Sequence, residues 1–495
     1  MTTRRADWMV LGGALALALL LRVVPLTYAH FWDETVYLQH AMVLVDGRAN
    51  YDEFEYRPPL LPFLYAVGFL AWNHIYAANV VQGLFTTLAV LFGFLHVRDA
   101  FGRVPAWYAA AQLAFMPYLV NASHDLLTDA PALTLMLAAM WAFEKPGTRF
   151  LLLSGALYAL AIQTRFTSMF LVVYFLLQAI VVHRKPGQLG WWAAAAAAAI
   201  APYLVWARWN FGSFFHPFVR GRQMVTEWTP LVPAAFYWEA LGTVFPSIVW
   251  PLAALGLLGP LVRAFAERRS AGIGPSVATD VAPAEALRRE LVLLVWGFAF
   301  MAYMLSIPHK EARYLLPLVI PVVILAGVGL AEITHWIARQ SRGVRAAGLL
   351  LLAGVAVVQY GSPLQRLTEP WADPSRVEPW VGRSTWEAVQ IGSYLKRISA
   401  PADTVYAVHN FPVLAFYSER KTVSLLPIQE NFEQTWRDVM REPGYFVAYD
   451  PAGIIETHAK NPGFKPDRDF LDAHPEFRSV QTFAHVTVYR YEPVP

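Results

Sequence analysis

Apolar runs long enough to cross a lipid bilayer recur along this chain from its N-terminus to about Tyr360. Crossing the hydrocarbon layer takes about 20 apolar residues as a helix, and a backbone immersed in lipid must satisfy its own hydrogen bonds, so runs of this length predict helices. About eleven spans are read, at approximately 8–28, 79–97, 104–121, 130–143, 150–164, 167–182, 190–207, 238–262, 291–307, 314–333 and 345–360. Hydrophobic residues make up 56% and charged ones 15%, against about 45–50% and about 25% in soluble domains. The fold class expected is an α-helical polytopic membrane protein.

Charge sets the orientation. With Arg4 and Arg5 inside, the groups Arg98/Arg103, Lys145/Arg149, His183/Arg184/Lys185, Arg263/Arg268/Arg269/Arg288/Arg289 and Arg339/Arg342/Arg345 all fall on the cytoplasmic side, as positive-inside topology requires. This holds only if Leu60–Trp72, broken by Pro62 and Gly68, lies along the outer interface instead of crossing. Residues 29–78 then form a long first external loop. The first span is expected to stay in the membrane, since no small-residue cleavage site precedes His30. A net charge of +3 gives no argument for nucleic acid. With no cysteine, disulfides and thiolate metal sites are excluded.

From about Gly361 the composition changes, and a soluble external unit (residues 361–495) of ordinary domain size is expected. A helical pattern at 385–395 and strand-like runs at 404–408, 422–425, 444–448 and 480–491 predict a small α/β module. Residues 263–290, rich in Ala, Gly, Pro and charge, are read as a flexible cytoplasmic loop. No internal repeat is apparent, which counts against an inverted-repeat transporter.

Four external constellations carry potential chemistry. In the first, Asp33 and Glu34 open a segment where Asp33, Tyr37 and His40 share one face if it is helical. A carboxylate there is suited to take a proton from an attacking hydroxyl; equally, Asp33 is suited to cap an interfacial helix anchored by Trp32 and Tyr37. In the second, Asp125 and Asp129 stand one helical turn apart and are candidates, with Asp33, for a divalent metal ion or for sugar hydroxyls. Asp129 is also placed to cap the following span, with Pro131 in its first turn.

The third, His309-Lys310-Glu311-Ala312-Arg313-Tyr314, packs cations and a histidine into an external turn, against the usual charge distribution. Such a loop suits an anionic partner, phosphate above all; the alternative is a solvated turn balanced by Glu311. Arg165 and Arg57 are further external cations, and Arg22 near the outer end of span one is ambiguous between snorkelling and phosphate binding. The fourth, Arg208–Phe218, begins a loop dense in aromatics, suited to sugar rings, to a polyprenyl chain or merely to the interface.

The run Trp32-Asp33-Glu34-Thr35-Val36-Tyr37, then Asp46-Gly47-Arg48 and Tyr56-Arg57-Pro58-Pro59-Leu60, resembles the first external loop of GT-C membrane glycosyltransferases, in the branch of the protein O-mannosyltransferases and the aminoarabinose transferase. Gly155–Leu157 through Thr164–Thr167 is similar to the same branch, whereas His309–Tyr314 is similar to the His-Lys-Glu motif of glycolipid-anchor mannosyltransferases. The resemblance implies a polyprenyl-phosphate sugar donor and a lipid, glycan or protein acceptor, at the outer face of the cytoplasmic (inner) membrane. It further implies Asp33 as base with Glu34 beside it, and Asp125 (or Asp129) as a second-loop acid. Arg57, Arg165, His309, Lys310 and Arg313 would hold the donor phosphate, with Tyr37, His40, Asp125 and Glu311 on the sugar or acceptor. A divalent ion on Asp33, Asp125 and Asp129 stays open. Two motif styles in one chain leave the sugar and the acceptor unassigned.

Overall fold

The computed structural model describes residues 3–23, 30, 32–47, 50, 56–226, 231–258, 283–366, 382–407, 409–425, 432–449 and 468–493. The expected cytoplasmic loop 263–290 and Arg48 lie largely outside these. The chain divides into two units, one of Met1–Pro25, Glu55–Leu61 and Asn79–Glu369, the other of Leu26–Phe54, Pro62–Ala78 and Pro370–Pro495.

The first unit is built from helices α1 (Thr3–Val23), α4 (Tyr76–Phe101), α5 (Arg103–Phe115), α6 (Pro117–His124), α7 (Asp129–Glu144), α8 (Thr148–Thr164), α9 (Leu171–Leu177), α10 (Gln188–Phe211), α11 (His216–Thr226), α12 (Phe236–Val244), α13 (Val249–Leu258), α14 (Pro283–Ser306), α15 (Val319–Ala338) and α16 (Arg342–Arg366). Among the described residues, five helices are long and apolar enough to cross a membrane, or up to seven if the bent pairs α6–α7 and α12–α13 each count as one span. This makes a multi-pass membrane protein, with fewer full-length helices than the eleven expected spans. Chain breaks divide several expected spans, Pro117 among them: α5 stops at Phe115, and α6 and α7 meet at 113°.

Small residues allow the closest helix contacts. An added Cβ on Gly155 of α8 would lie 2.1 Å from the Trp192 carbonyl of α10, and one on Gly329 of α15 would lie 1.9 Å from the Leu252 carbonyl of α13. Because both obstacles are backbone, Gly329→Ala is expected to cost about 1–3 kcal/mol, read as a lower melting temperature in detergent. Arg22 is buried, donating to Ser123 Oγ (3.0 Å) and to the Ala114 and Leu113 carbonyls (3.1 and 2.5 Å). It thereby ties α1 to the α5–α6 break, which resolves its ambiguity in favour of a structural clamp. At the far end of α7, Glu144 takes Arg289 Nη1 (2.7 Å) and the Tyr174 hydroxyl (3.3 Å), joining α7, α9 and α14.

The second unit carries a five-stranded sheet. Its strands are β1 (Thr404–Ala407), β2 (Thr422–Ser424), β3 (Gly444–Tyr449), β4 (Phe477–Thr482) and β5 (Val486–Tyr491), in the order β2-β1-β3-β5-β4. β2, β1 and β3 run parallel; β5 is antiparallel to β3 and β4. Successive side chains on a strand face opposite sides, so Val405 and Ala407 enter one core with α17 (Gly382–Ile398) and α18 (Phe411–Ser418). Tyr406 enters the other with Trp436 of α19 (Phe432–Val439). The run 480–491, read as one strand, is a hairpin, because Phe483 and Val486 close a turn between β4 and β5. A last short helix, α20, spans Arg468–Asp472.

Two helices from the first external loop fall within this unit in whole or large part: α2 (Trp32–Asp46) and α3 (Leu60–Ala71). The expected boundary near residue 361 therefore describes only the C-terminal piece of a unit that also takes in 26–54 and 62–78.

Candidate active site

In the apolar unit, Arg165 and the 309–314 turn meet. Arg165 ends α8 in an extended conformation (φ −152°, ψ 120°), which swings its side chain off the helix axis. Its Nη1 pairs with Asp129 Oδ2 at 3.0 Å and donates to Thr128 Oγ1 at 3.2 Å. Its Cζ lies 4.9 Å over the Tyr314 ring. Asp129 is the first residue of α7, where the helix dipole favours an anion, and Thr128 occupies the cap position. The capping role considered for Asp129 thus gives way to an ion pair. An arginine has five N–H donors, and the buried Nε of Arg165 has no hydrogen-bond partner among the described residues.

The turn itself is organised by Glu311. One of its carboxylate oxygens receives His309 Nε2 (2.8 Å), Arg313 Nη2 (2.9 Å) and the Tyr314 hydroxyl (3.1 Å), and the other stands in ion-pair contact with the Arg313 guanidinium. Burial opposes its charge, but the Arg313 guanidinium and the His309 hydrogen bond outweigh that and hold the carboxyl well below the usual carboxylate range. The turn is thus intact throughout the neutral range, losing this support only as pH falls through the folded value. Arg313 stands 5.8 Å from the Tyr314 ring, so Arg165, Arg313, Glu311 and His309 surround one tyrosine. Lys310 is buried, and its ammonium donates to the Ile307 carbonyl at 2.6 Å, capping the end of α14.

Further residues reach this cluster that the sequence reading did not name. The Tyr303 ring centre lies 4.0 Å from that of Phe170, in the short 3-10 turn that follows Arg165. A Cβ on Gly221 would lie 3.4 Å from the Phe166 ring and 3.7 Å from the Tyr56 carbonyl. The segments that carry Arg57, Arg165 and the Arg220–Arg222 pair therefore converge. The external Arg-Gly-Arg at 220–222 was the available signal.

Asp125 ends α6, its N–H donating to the Asn121 carbonyl (3.2 Å) and its carbonyl accepting Gln82 Nε2 (2.9 Å). With a break and a 113° bend between them, Asp125 and Asp129 do not share a helical face as expected. Among the described residues no three His, Asp or Glu side chains are grouped to hold a metal ion, and Asp129 is engaged by Arg165. The single helix face that would bring Asp125 and Asp129 to one ion is therefore not formed.

In the other unit, Asp33 and Glu34 occupy the first turn of α2, both half-buried. Asp33, Tyr37 and His40 lie on one side of a continuous helix, as the spacing predicts. His30 Nδ1 is 3.6 Å from Glu34 Oε2. Burial pushes the His40 imidazole down to about 4. A depressed histidine gives stability that is complete above the unfolded value near 6.5 and declines as pH falls towards 4. Acidification across that window is expected to cost this unit up to about 3 kcal/mol; His40→Gln should flatten the slope of melting temperature between pH 7 and pH 5.

The fold has relatives of known structure. ArnT from Cupriavidus metallidurans bound to undecaprenyl phosphate superposes with a TM-score of 0.65 at 16% identity, covering 99% of this chain and 98% of that one; its apo form gives 0.66, also at 16% identity, with 98% of each covered. The Archaeoglobus fulgidus oligosaccharyltransferase, in complex with Zn and sulfate, gives 0.53 at 13% identity, over 89% of this chain and 68% of that one. No curated protein matches the chain. Two family models do match, dolichyl-phosphate-mannose-protein mannosyltransferase over residues 56–206 and the Alg9-like mannosyltransferase family over 232–366. The first contains Arg57 and Arg165, the second the 309–314 turn, which accounts for the two motif styles in one chain. Both models describe mannosyltransferases and the shared architecture agrees with them, so the chain is similar to GT-C glycosyltransferases along its length, and a glycosyltransferase is the enzyme class these likenesses support.

Proposed function

We propose that this protein moves a sugar from a polyprenyl-phosphate carrier to a hydroxyl acceptor at the extracytoplasmic face of the cytoplasmic membrane, with inversion at the transferred carbon. The observation that carries this reading is the gathering of Arg165, Arg313 and His309 about Tyr314, at helix ends of an apolar unit. Guanidinium groups in that density suit a phosphate ester, and ArnT, with the same fold, was crystallised with undecaprenyl phosphate.

In the reaction, Asp33 takes the proton of the acceptor hydroxyl as its oxygen attacks the sugar carbon. The bond to the phosphate oxygen breaks with its electron pair, and the lipid phosphate leaves as an anion whose added charge Arg165 and Arg313 stabilise. No acid is needed for a leaving group already stable as an anion. Glu34 and Tyr37 flank the base, and Glu311 fixes the direction of Arg313.

The test is to incubate purified protein with a panel of radiolabelled polyprenyl-phosphate hexoses and pentoses plus total membrane acceptors. At least one donor should lose its sugar to an acceptor; transfer from none would overturn the reading.

A further inference from the structure

Helix α2, which carries Asp33 and Glu34, is built into the core of the unit formed by the C-terminal domain. Thr35, Val36, Tyr37, Leu38 and Gln39 are 0, 0, 4, 0 and 2% exposed. Successive helical residues are about 100° apart, so five buried in a row close the whole circumference. A helix floating among headgroups would leave one side uncovered. Val36 packs in one cluster with Ala388, Ile391, Val405, Val413 and Leu414, more than 350 positions along the chain.

Polar and aromatic contacts bracket the acids. The His30 N–H donates to the Tyr417 hydroxyl at 2.7 Å, and Trp32 meets Phe411 edge-on with ring centres 5.1 Å apart. Gln39 Nε2 donates to the Pro412 carbonyl at 3.0 Å, and beyond the helix the Thr422 N–H donates to the Asn50 carbonyl at 2.9 Å. Contacts at 30, 32, 36 and 39 thus surround 33 and 34; those at 30, 32 and 39 come from α18 itself, and the Val36 cluster adds α17 and the sheet to it. We infer that α18 of the C-terminal domain is the platform that positions the Asp33–Glu34 pair, with Phe411 and Tyr417 as its positioning residues. The domain is then part of the catalytic apparatus, acting through α2 without touching substrate. This rests on the reading of Asp33 as base. A base must stand within hydrogen-bond reach of the proton it takes, and a displacement of about 1 Å costs on the order of a hundredfold in rate.

The experiment uses full-length protein in detergent. Phe411→Ala is expected to lower kcat at least about tenfold, with undecaprenyl phosphate binding within about twofold because the cations belong to the other unit. Phe411→Leu should restore most of the rate, and Tyr417→Phe should give a smaller loss of the same kind. Unchanged kcat in both Phe411→Ala and Tyr417→Phe overturns the inference, as does a parallel fall in kcat, lipid-phosphate affinity and melting temperature. The chain has no cysteine, so a Gln39→Cys, Pro412→Cys pair reports the contact itself. Cross-linking of that pair in a chain whose Asp33→Asn form stays active would show that the docking holds while the base reading fails. Absence of cross-linking would show that the docking fails.

Discussion

Replacing Asp33 with asparagine is expected to lower turnover by about 10²–10⁴-fold, the usual contribution of a positioned general base, while leaving the affinity for undecaprenyl phosphate unchanged. The substitution keeps the shape of the side chain and removes only its capacity to accept the proton. Asp33 sits in the first turn of α2, whose following five residues are buried, so the amide should occupy the same place. Single-turnover measurements with a saturating donor separate the two effects. A parent rate in the Asp33→Asn protein would remove this residue from the chemistry and leave Glu34 as the acid to test.

The second large effect is expected at the cations. Arg313→Ala should weaken donor binding about 10–100-fold, the loss of one charge-assisted contact worth about 1.5–3 kcal/mol. Glu311 should stay in place through His309 and Tyr314. Arg165→Met has two consequences, because the guanidinium also neutralises Asp129, which is 4% exposed. Removing the ion-pair partner of a buried carboxylate costs about 3–5 kcal/mol of stability. Adding Asp129→Leu should return the melting temperature close to the parent value without returning donor affinity. Recovery of both together would mean that Arg165 serves the fold alone.

Much of this arrangement is legible in the sequence, for identifiable reasons. The 309–314 turn and Arg165 stand out because cations gathered outside a membrane defy the usual distribution, and the structure brings the two together around Tyr314. Helix α17 and the starts of β1, β2 and β3 follow from local periodicity. What escapes is long-range or directional. Charge counting cannot tell that Lys310 turns back to the Ile307 carbonyl while its neighbour Arg313 does not. Arg220 and Arg222 follow directly on the aromatic run Phe211–Phe218, whose composition alone suits an interface as well as a site. Helix α2 reads as interfacial because the partners of its apolar side, Val413 and Leu414 among them, lie at the opposite end of the chain. The Asp125–Asp129 spacing suggests one helix face, but the chain bends there.

The claim at the centre of this account is that a bond between sugar and lipid phosphate is broken. A donor labelled with ³²P in the phosphate and ¹⁴C in the sugar, given to protein reconstituted in vesicles with membrane acceptors, tests it most directly. The account predicts that the two labels part, the ¹⁴C moving to the acceptor and the ³²P staying on the polyprenyl lipid, and that they stay together with the Asp33→Asn protein. Both labels crossing the bilayer on one intact molecule would identify a flippase and contradict it.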